Sequence, residues 1–370
     1  MTITPDRPAA SVGAGQHPPF DRELAGPLRA ILDELPMPLT PGRIPDRRRR
    51  SRAGRLTDAA IRRGGAFTIE ERTVPGPPGA PPVPLLICRP AGAGGPVPAV
   101  FHTHGGGMVA GSHRSTELVG ELDRAQELGL AVVAVDYRLA PEHPDPAPVE
   151  DCYAGLVWLA EHAAELGIDP ERLVLSGNSA GGALAAGLAL LARDRRGPRP
   201  VGQLLQFPML DDRCATDSVA RLAHVGLWDG ASNRAGWTAL LGARRGTSDV
   251  SCYAAPARAA DVSGLPAAFI EVGSVEALRD EALAYAARIW QAGGEAELHV
   301  WSGAFHSFDE WVPGAEISRA AHRARVSWLR RVLVGASSGA GAGSSTGTGA
   351  GASTGAGVGR PDVAVSGVVR

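Results

Sequence analysis

The pentapeptide Gly177-Asn178-Ser179-Ala180-Gly181 follows the apolar run Arg172 to Ser176 and opens an alanine- and leucine-rich stretch. In that strand–turn–helix context G-x-S-x-G forms a nucleophile elbow. The glycines remove Cβ atoms that would clash in a tight turn, and the serine side chain stands clear at the sheet edge. A serine hydroxyl is a weak nucleophile alone, so chemistry at Ser179 requires a base, an acid that orients it, and an oxyanion hole. The segment His104-Gly105-Gly106-Gly107 directly follows an apolar run ending at Thr103. Main-chain N–H groups of Gly105 and Gly106, with that of Ala180 beside the nucleophile, are the candidate oxyanion donors. A phosphate-binding loop would need G-x-G-x-x-G or G-x-x-x-x-G-K-[ST], and neither fits.

The base is expected after a late strand, and His306 in Ala304-Phe305-His306-Ser307-Phe308 meets that condition. His299 alternates with apolar residues inside a strand, while His162 and His322 fall in helical patterns. The acid is expected after the strand 268–272, where Glu276, Asp280 and Glu281 stand. Glu276 is nearest the strand end, Asp280 reads as a cap or salt-bridge residue, and Asp309 lies too close to His306 in sequence to turn back on it. His102 and His104 alternate on one strand, but no third ligand follows at suitable spacing, so no metal site is expected. Asp136, Arg138 and Glu142 in the segment DYRLAPE read as an ion-paired turn bracing the loops around the site.

These residues need a frame that brings several loops to one edge. Short β-rich runs at 67–74, 83–89, 99–103, 131–136, 172–176, 203–207, 268–272 and 296–301 alternate with helical patterns near 115–129, 148–166, 180–193, 277–293 and 315–333. The first two runs read as a hairpin across 75–82. The alternation predicts an α/β fold, a mostly parallel sheet with helices on both faces and reactive loops beyond its C-terminal strand ends. Residues 1–20 read as disordered, 21–334 as one domain, and the Gly/Ser/Ala-rich 335–370 as a flexible tail. Leu24, Leu28, Ile31, Leu32 and Leu35 recur at helical spacing, and 211–250 reads as a helical excursion between two strands.

The chain has 370 residues, 44% of them hydrophobic, and a formal net charge of −2, which gives no electrostatic reason to expect nucleic acid. The run Arg47 to Arg50 with Arg52 reads as a solvated face. Every basic residue is arginine, so mechanisms needing lysine are excluded. The scattered cysteines, the absence of a signal-peptide pattern and the lack of a long apolar run point to a cytoplasmic protein without a membrane span.

Taken together, the HGGG loop, DYRLAPE, the elbow extended to GNSAGG and the terminal F-H-S-F resemble the hormone-sensitive-lipase-like branch of the α/β-hydrolases over about 65–333. The resemblance implies an eight-stranded sheet, a Ser/acid/His triad, an HGGG oxyanion hole, no cofactor, and a helical cap, here at 21–65 and 211–250. It further implies a small-molecule ester of short to medium acyl chain as substrate; the oligomeric state is open between monomer and homodimer. Three positions depart from the pattern: Glu276 replaces the usual aspartate, Asn178 precedes the serine, and Ser307 stands where glycine often follows the histidine. Amide, lactone or carbamate hydrolysis by the same triad, or ligand binding on a catalytically silent scaffold, are the rival readings.

Overall fold

Apolar runs too short for a helix and bounded by Pro and Gly become strands here, and the alanine- and leucine-rich stretches between them become helices. A computed structural model of the chain describes residues 17–35 and 37–339, so the N-terminal segment up to 16 and the tail from 340 lie outside the described residues. Three helices come first, α1 (Arg22–Glu34), α2 (Ile44–Ala53) and α3 (Asp58–Arg62), followed by strands β1 (Phe67–Val74), β2 (Val83–Pro90) and β3 (Val97–Thr103). Then α4 (Leu118–Leu128), β4 (Ala131–Val135), α5 (Ala147–His162), β5 (Ile168–Asn178), α6 (Ala180–Asp194) and β6 (Gly202–Gln206) alternate. The excursion holds α7 (Asp217–Arg221) and α8 (Gly230–Leu241). The chain returns through β7 (Ala267–Gly273), α9 (Arg279–Gln291), β8 (Ala296–Trp301), α10 (Phe308–Trp311) and α11 (Glu316–Gly339). The eight strands form one sheet in the order β1-β2-β4-β3-β5-β6-β7-β8. β2 runs antiparallel to both its neighbours, β1 and β4, and every other pairing is parallel. This is a mostly parallel eight-stranded sheet flanked by helices, as the alternating pattern predicts.

Register explains why the chemistry gathers. Thr103 pairs with Gly177, Asn178 with Gln206, and Gln206 with Glu271, so β3, β5, β6 and β7 end side by side. α6 is buried over its first thirteen residues, Ala180 through Ala192, because small and apolar side chains let it lie directly on the sheet. α1 is capped by Asp21, whose side chain accepts from the Glu23 N–H (2.8 Å), and it buries Leu24 and Leu28 one turn apart. Those leucines pack with Phe207, Phe305 and Phe308, so the N-terminal helix braces the loop that carries His306. α11 continues through Gly339, beyond the boundary at 334 read from composition.

Beneath the strand ends on the α4 side, the sheet holds a charged group. Glu121 and Arg124 are almost fully buried and paired at 2.8 Å. The same Glu121 oxygen accepts from Ser176 Oγ (2.5 Å) and Gln206 Nε2 (3.2 Å). Burial alone would raise the Glu121 carboxyl, but the Arg124 charge, the neighbouring His102 and the Ser176 hydrogen bond outweigh it and hold the group well below the usual carboxylate range. Breaking a buried pair strands one charge, so Arg124→Met is expected to cost about 3–5 kcal/mol of stability. Adding Glu121→Leu should restore much of that loss. Urea titrations of both single variants and the double variant test it, and strictly additive losses would refute the coupling.

Candidate active site

Ser179 sits between the end of β5 and the start of α6 with φ 55° and ψ −120°, a conformation that non-glycine residues rarely adopt and that marks stored strain. Main-chain bonds hold it there, with its N–H donated to Gln206 O (2.8 Å) and its carbonyl accepting from Met209 N (3.0 Å). The glycine requirement is steric. A Cβ on Gly181 would lie 1.9 Å from Thr103 O, and one on Gly177 would lie 2.3 Å from Gly181 O. Thr103 Oγ1 donates towards Gly181 O (2.7 Å), tying β3 to the elbow.

His306 Nε2 lies 2.9 Å from Ser179 Oγ, and His306 Nδ1 lies 3.1 Å from Glu276 Oε1. Glu276 is buried, and its second oxygen accepts from the Gly273 N–H at 2.8 Å. The glutamate thus spans from the end of β7 to the imidazole with both oxygens used. The other carboxylates considered from sequence point elsewhere. Asp280 pairs with Arg279 (2.8 Å) and caps Ser218 N (2.7 Å), Glu281 accepts from Leu210 N (2.7 Å), and Asp309 pairs with Arg325. Ser307 has φ 56°, in the left-handed region, which accounts for the preference for glycine at this position in the related pattern.

The HGGG loop folds over the elbow. His104 is buried, stacks on Tyr137 (centroids 4.1 Å apart) and donates Nδ1–H to Gly105 O, while burial pulls its pKa down to about 4 and keeps it neutral. Tyr137 O–H donates to His104 O at 2.6 Å, so the DYRLAPE segment steadies the loop. Gly105 N–H donates to Glu117 Oε1 (2.5 Å), so the main-chain donor assigned to Gly105 from sequence is already occupied. Among the described residues, the N–H groups of Gly106 and Gly107 have no protein acceptor. Gly107 must be glycine, since a Cβ there would meet the Trp228 ring at 2.3 Å.

A cavity of about 310 Å³ opens above Ser179 and His306. Leu35 and the α2 arginines Arg47 and Arg50 line it from the N-terminal segment, and Leu227 and Trp228 from the excursion. Both segments read as cap therefore reach the pocket. No helix among the described residues is long and apolar enough to cross a membrane, and no cluster of three His, Cys, Asp or Glu side chains suits a metal.

A family description for the alpha/beta hydrolase fold matches residues 100–310, more than half of the chain. The chain belongs to the α/β-hydrolase family. It is 40% identical over 238 residues to carboxylesterase NlhH of Mycobacterium tuberculosis, covering 62% of this chain and 72% of that protein. Among solved structures it resembles a bacterial heroin esterase (38% identical, TM-score 0.77, covering 84% of this chain and 98% of that one). It also resembles a hyperthermophilic esterase from the archaeon Pyrobaculum calidifontis (28% identical, TM-score 0.75, 85% and 99% covered). Ester-hydrolysing enzymes are the class that the motifs of this hydrolase resemble.

Two further readings of this hydrolase need correction. Asp136, Arg138 and Glu142 do not pair with one another: Asp136 holds His113 (3.2 Å), Arg138 holds Asp151 (2.7 Å) and Glu142 holds Arg48 (2.6 Å). Each partner lies on a different element, which local charge patterning does not reveal. The arginine run is not simply a solvated face, since Arg48 also donates to Val109 O (2.7 Å) and Ala140 O (2.8 Å), fastening α2 to the HGGG loop. Glu117, Trp228 and Glu310, which accepts from Asn178 Nδ2, were not singled out as site residues by sequence. Only the tryptophan carried a signal, as a large aromatic inside a cap segment.

Proposed function

We propose that this α/β-hydrolase is a carboxylesterase that works through Ser179, His306 and Glu276 on esters of short to medium acyl chain. The observation that carries this reading is the continuous hydrogen-bonded series from Ser179 Oγ through both ring nitrogens of His306 to Glu276 at the floor of the cavity. Glu276 accepts from Nδ1–H and fixes the tautomer that leaves Nε2 free to take the serine proton. Ser179 Oγ then attacks the ester carbonyl. The N–H groups of Gly106 and Ala180, with Gly107 in place of Gly105, receive the oxyanion, each donor being worth about 10²–10³ in rate. The new imidazolium protonates the departing alcohol oxygen. Water, deprotonated by His306, releases the acid and restores Ser179.

A cavity of about 310 Å³ sits at the small end of ligand pockets, which favours short chains. Three buried free thiols, Cys88, Cys152 and Cys214, suit a reducing cytoplasmic setting. A p-nitrophenyl ester series from acetate to palmitate tests the reading. The expected kcat/KM is highest between acetate and octanoate and at least about tenfold lower for palmitate, whose distal methylenes gain nothing once outside the cavity. Absence of turnover across the series would favour a ligand-binding role, and faster cleavage of matched anilides would favour an amidase.

A further inference from the structure

Arg47 projects from α2 into the cavity above Ser179 and is half-buried there. The three arginines that follow it on the same helix are engaged. Arg48 pairs with Glu142, Arg49 with Asp46, and Arg50 donates to Glu34 O at 2.7 Å. Among the described residues Arg47 has neither a hydrogen bond nor an ion pair; its guanidinium rests over the Trp228 ring at 5.5 Å from the centroid. Trp228 in turn lies 6.2 Å from the His306 ring, so guanidinium, indole and imidazole form one wall of the substrate cavity. The acidic groups on that cavity do not pair with Arg47: Glu117 accepts from the Gly105 N–H and Glu310 from Asn178, and burial pushes both carboxyls up towards their neutral forms. Burial pulls the Arg47 pKa below the ordinary guanidinium value, as expected for a cation taken partly out of water without a counter-charge.

Leaving a half-desolvated cation unpaired is costly unless something else completes it. Guanidinium is the side chain best suited to grip a carboxylate in two parallel hydrogen bonds, and stacking on indole orients its plane while leaving the N–H edge free. We infer that the cavity takes esters carrying a carboxylate on the part of the molecule that lies along Trp228, with Arg47 as the residue that selects them. The inference rests on the ester-hydrolase reading above and adds the class of substrate to it. The carboxylate can belong to the acyl half or to the leaving half, so the test has two arms.

In the first arm, mono-p-nitrophenyl adipate is compared with p-nitrophenyl hexanoate, which has the same chain length without the charge. In the second, p-acetoxybenzoate is compared with its methyl ester. In at least one arm the anionic member is expected to have a kcat/KM about tenfold to hundredfold higher, chiefly through KM, as one charge-assisted pair supplies. Arg47→Gln should collapse that ratio to within about twofold, Arg47→Lys should keep part of it, and added salt should weaken it in the wild type. A wild-type ratio near one in both arms overturns the inference while leaving ester hydrolysis standing. So does a ratio that survives in Arg47→Gln, or a loss in that variant shared equally by charged and neutral esters. If none of the esters is cleaved, the hydrolase reading itself falls.

Discussion

Ser179→Ala should lower kcat on p-nitrophenyl butyrate by about 10⁵–10⁶-fold, the scale on which serine hydrolases lose their nucleophile. The change removes one oxygen, the atom 2.9 Å from His306 Nε2. It leaves the elbow intact, because the bonds that fix residue 179 are main-chain ones to Gln206 and Met209. Alanine inherits the same φ of 55° without new strain, so thermal unfolding should barely move. The residual rate should still exceed the uncatalysed one by about 10³–10⁴, since the N–H groups of Gly106, Gly107 and Ala180, the proposed oxyanion donors, are left in place. A burst of p-nitrophenol from wild type, absent in the variant, would tie the rate to an acyl-enzyme on this residue. A variant within tenfold of wild type would end the assignment. Losing the fold along with the activity would leave His306→Ala, read with the same substrates, to decide it.

The frame for that chemistry was legible because it follows from local rules. Most strands are short runs rich in Val, Leu, Ile or Phe, several of them bounded by Pro or Gly, and all eight candidate runs enter the sheet. The elbow and HGGG were legible for a different reason: Gly177, Gly181 and Gly107 are demanded by backbone and ring atoms lying within 2.3 Å of where a Cβ would stand. What stayed hidden depends on partners distant in sequence. Glu117 meets Gly105 only because the chain after the HGGG loop turns back across it before α4 begins, and it takes the N–H that a simple count of glycines assigns to the oxyanion. Asp136, Arg138 and Glu142 look self-sufficient in a line of text, yet Arg48 reaches Glu142 across 94 positions. The arginine run illustrates the same limit. Helical periodicity turns Arg48 towards the HGGG loop and Arg47 over Trp228, and a solvated-face reading of consecutive charges misses both.

Glu276→Gln is expected to lower kcat by about 10³–10⁴-fold with much less effect on KM, although it changes neither the length nor the shape of the side chain. Both carboxylate oxygens face donors, His306 Nδ1–H at 3.1 Å and Gly273 N–H at 2.8 Å. An amide has one acceptor and one donor, so one of those contacts must oppose N–H to N–H. If the amide oxygen keeps Gly273, its NH₂ faces Nδ1 and selects the imidazole tautomer with hydrogen on Nε2. That ring cannot accept the proton of Ser179. If the oxygen instead keeps Nδ1, the NH₂ is set against the buried Gly273 N–H, which destabilises the loop, and the imidazolium formed during attack still lacks a compensating negative charge. Glu276→Asp preserves the charge but withdraws it by one methylene, so it should retain more activity than the glutamine variant even where it packs worse. That ordering separates a catalytic acid from a structural one, since a role confined to packing predicts the reverse. Asp280→Asn and Asp309→Asn supply the remaining contrast. Their carboxylates are occupied by Arg279 and Arg325, so they should alter stability before they alter kcat. Full activity in Glu276→Gln together with collapse in either of these would move the acid to that position.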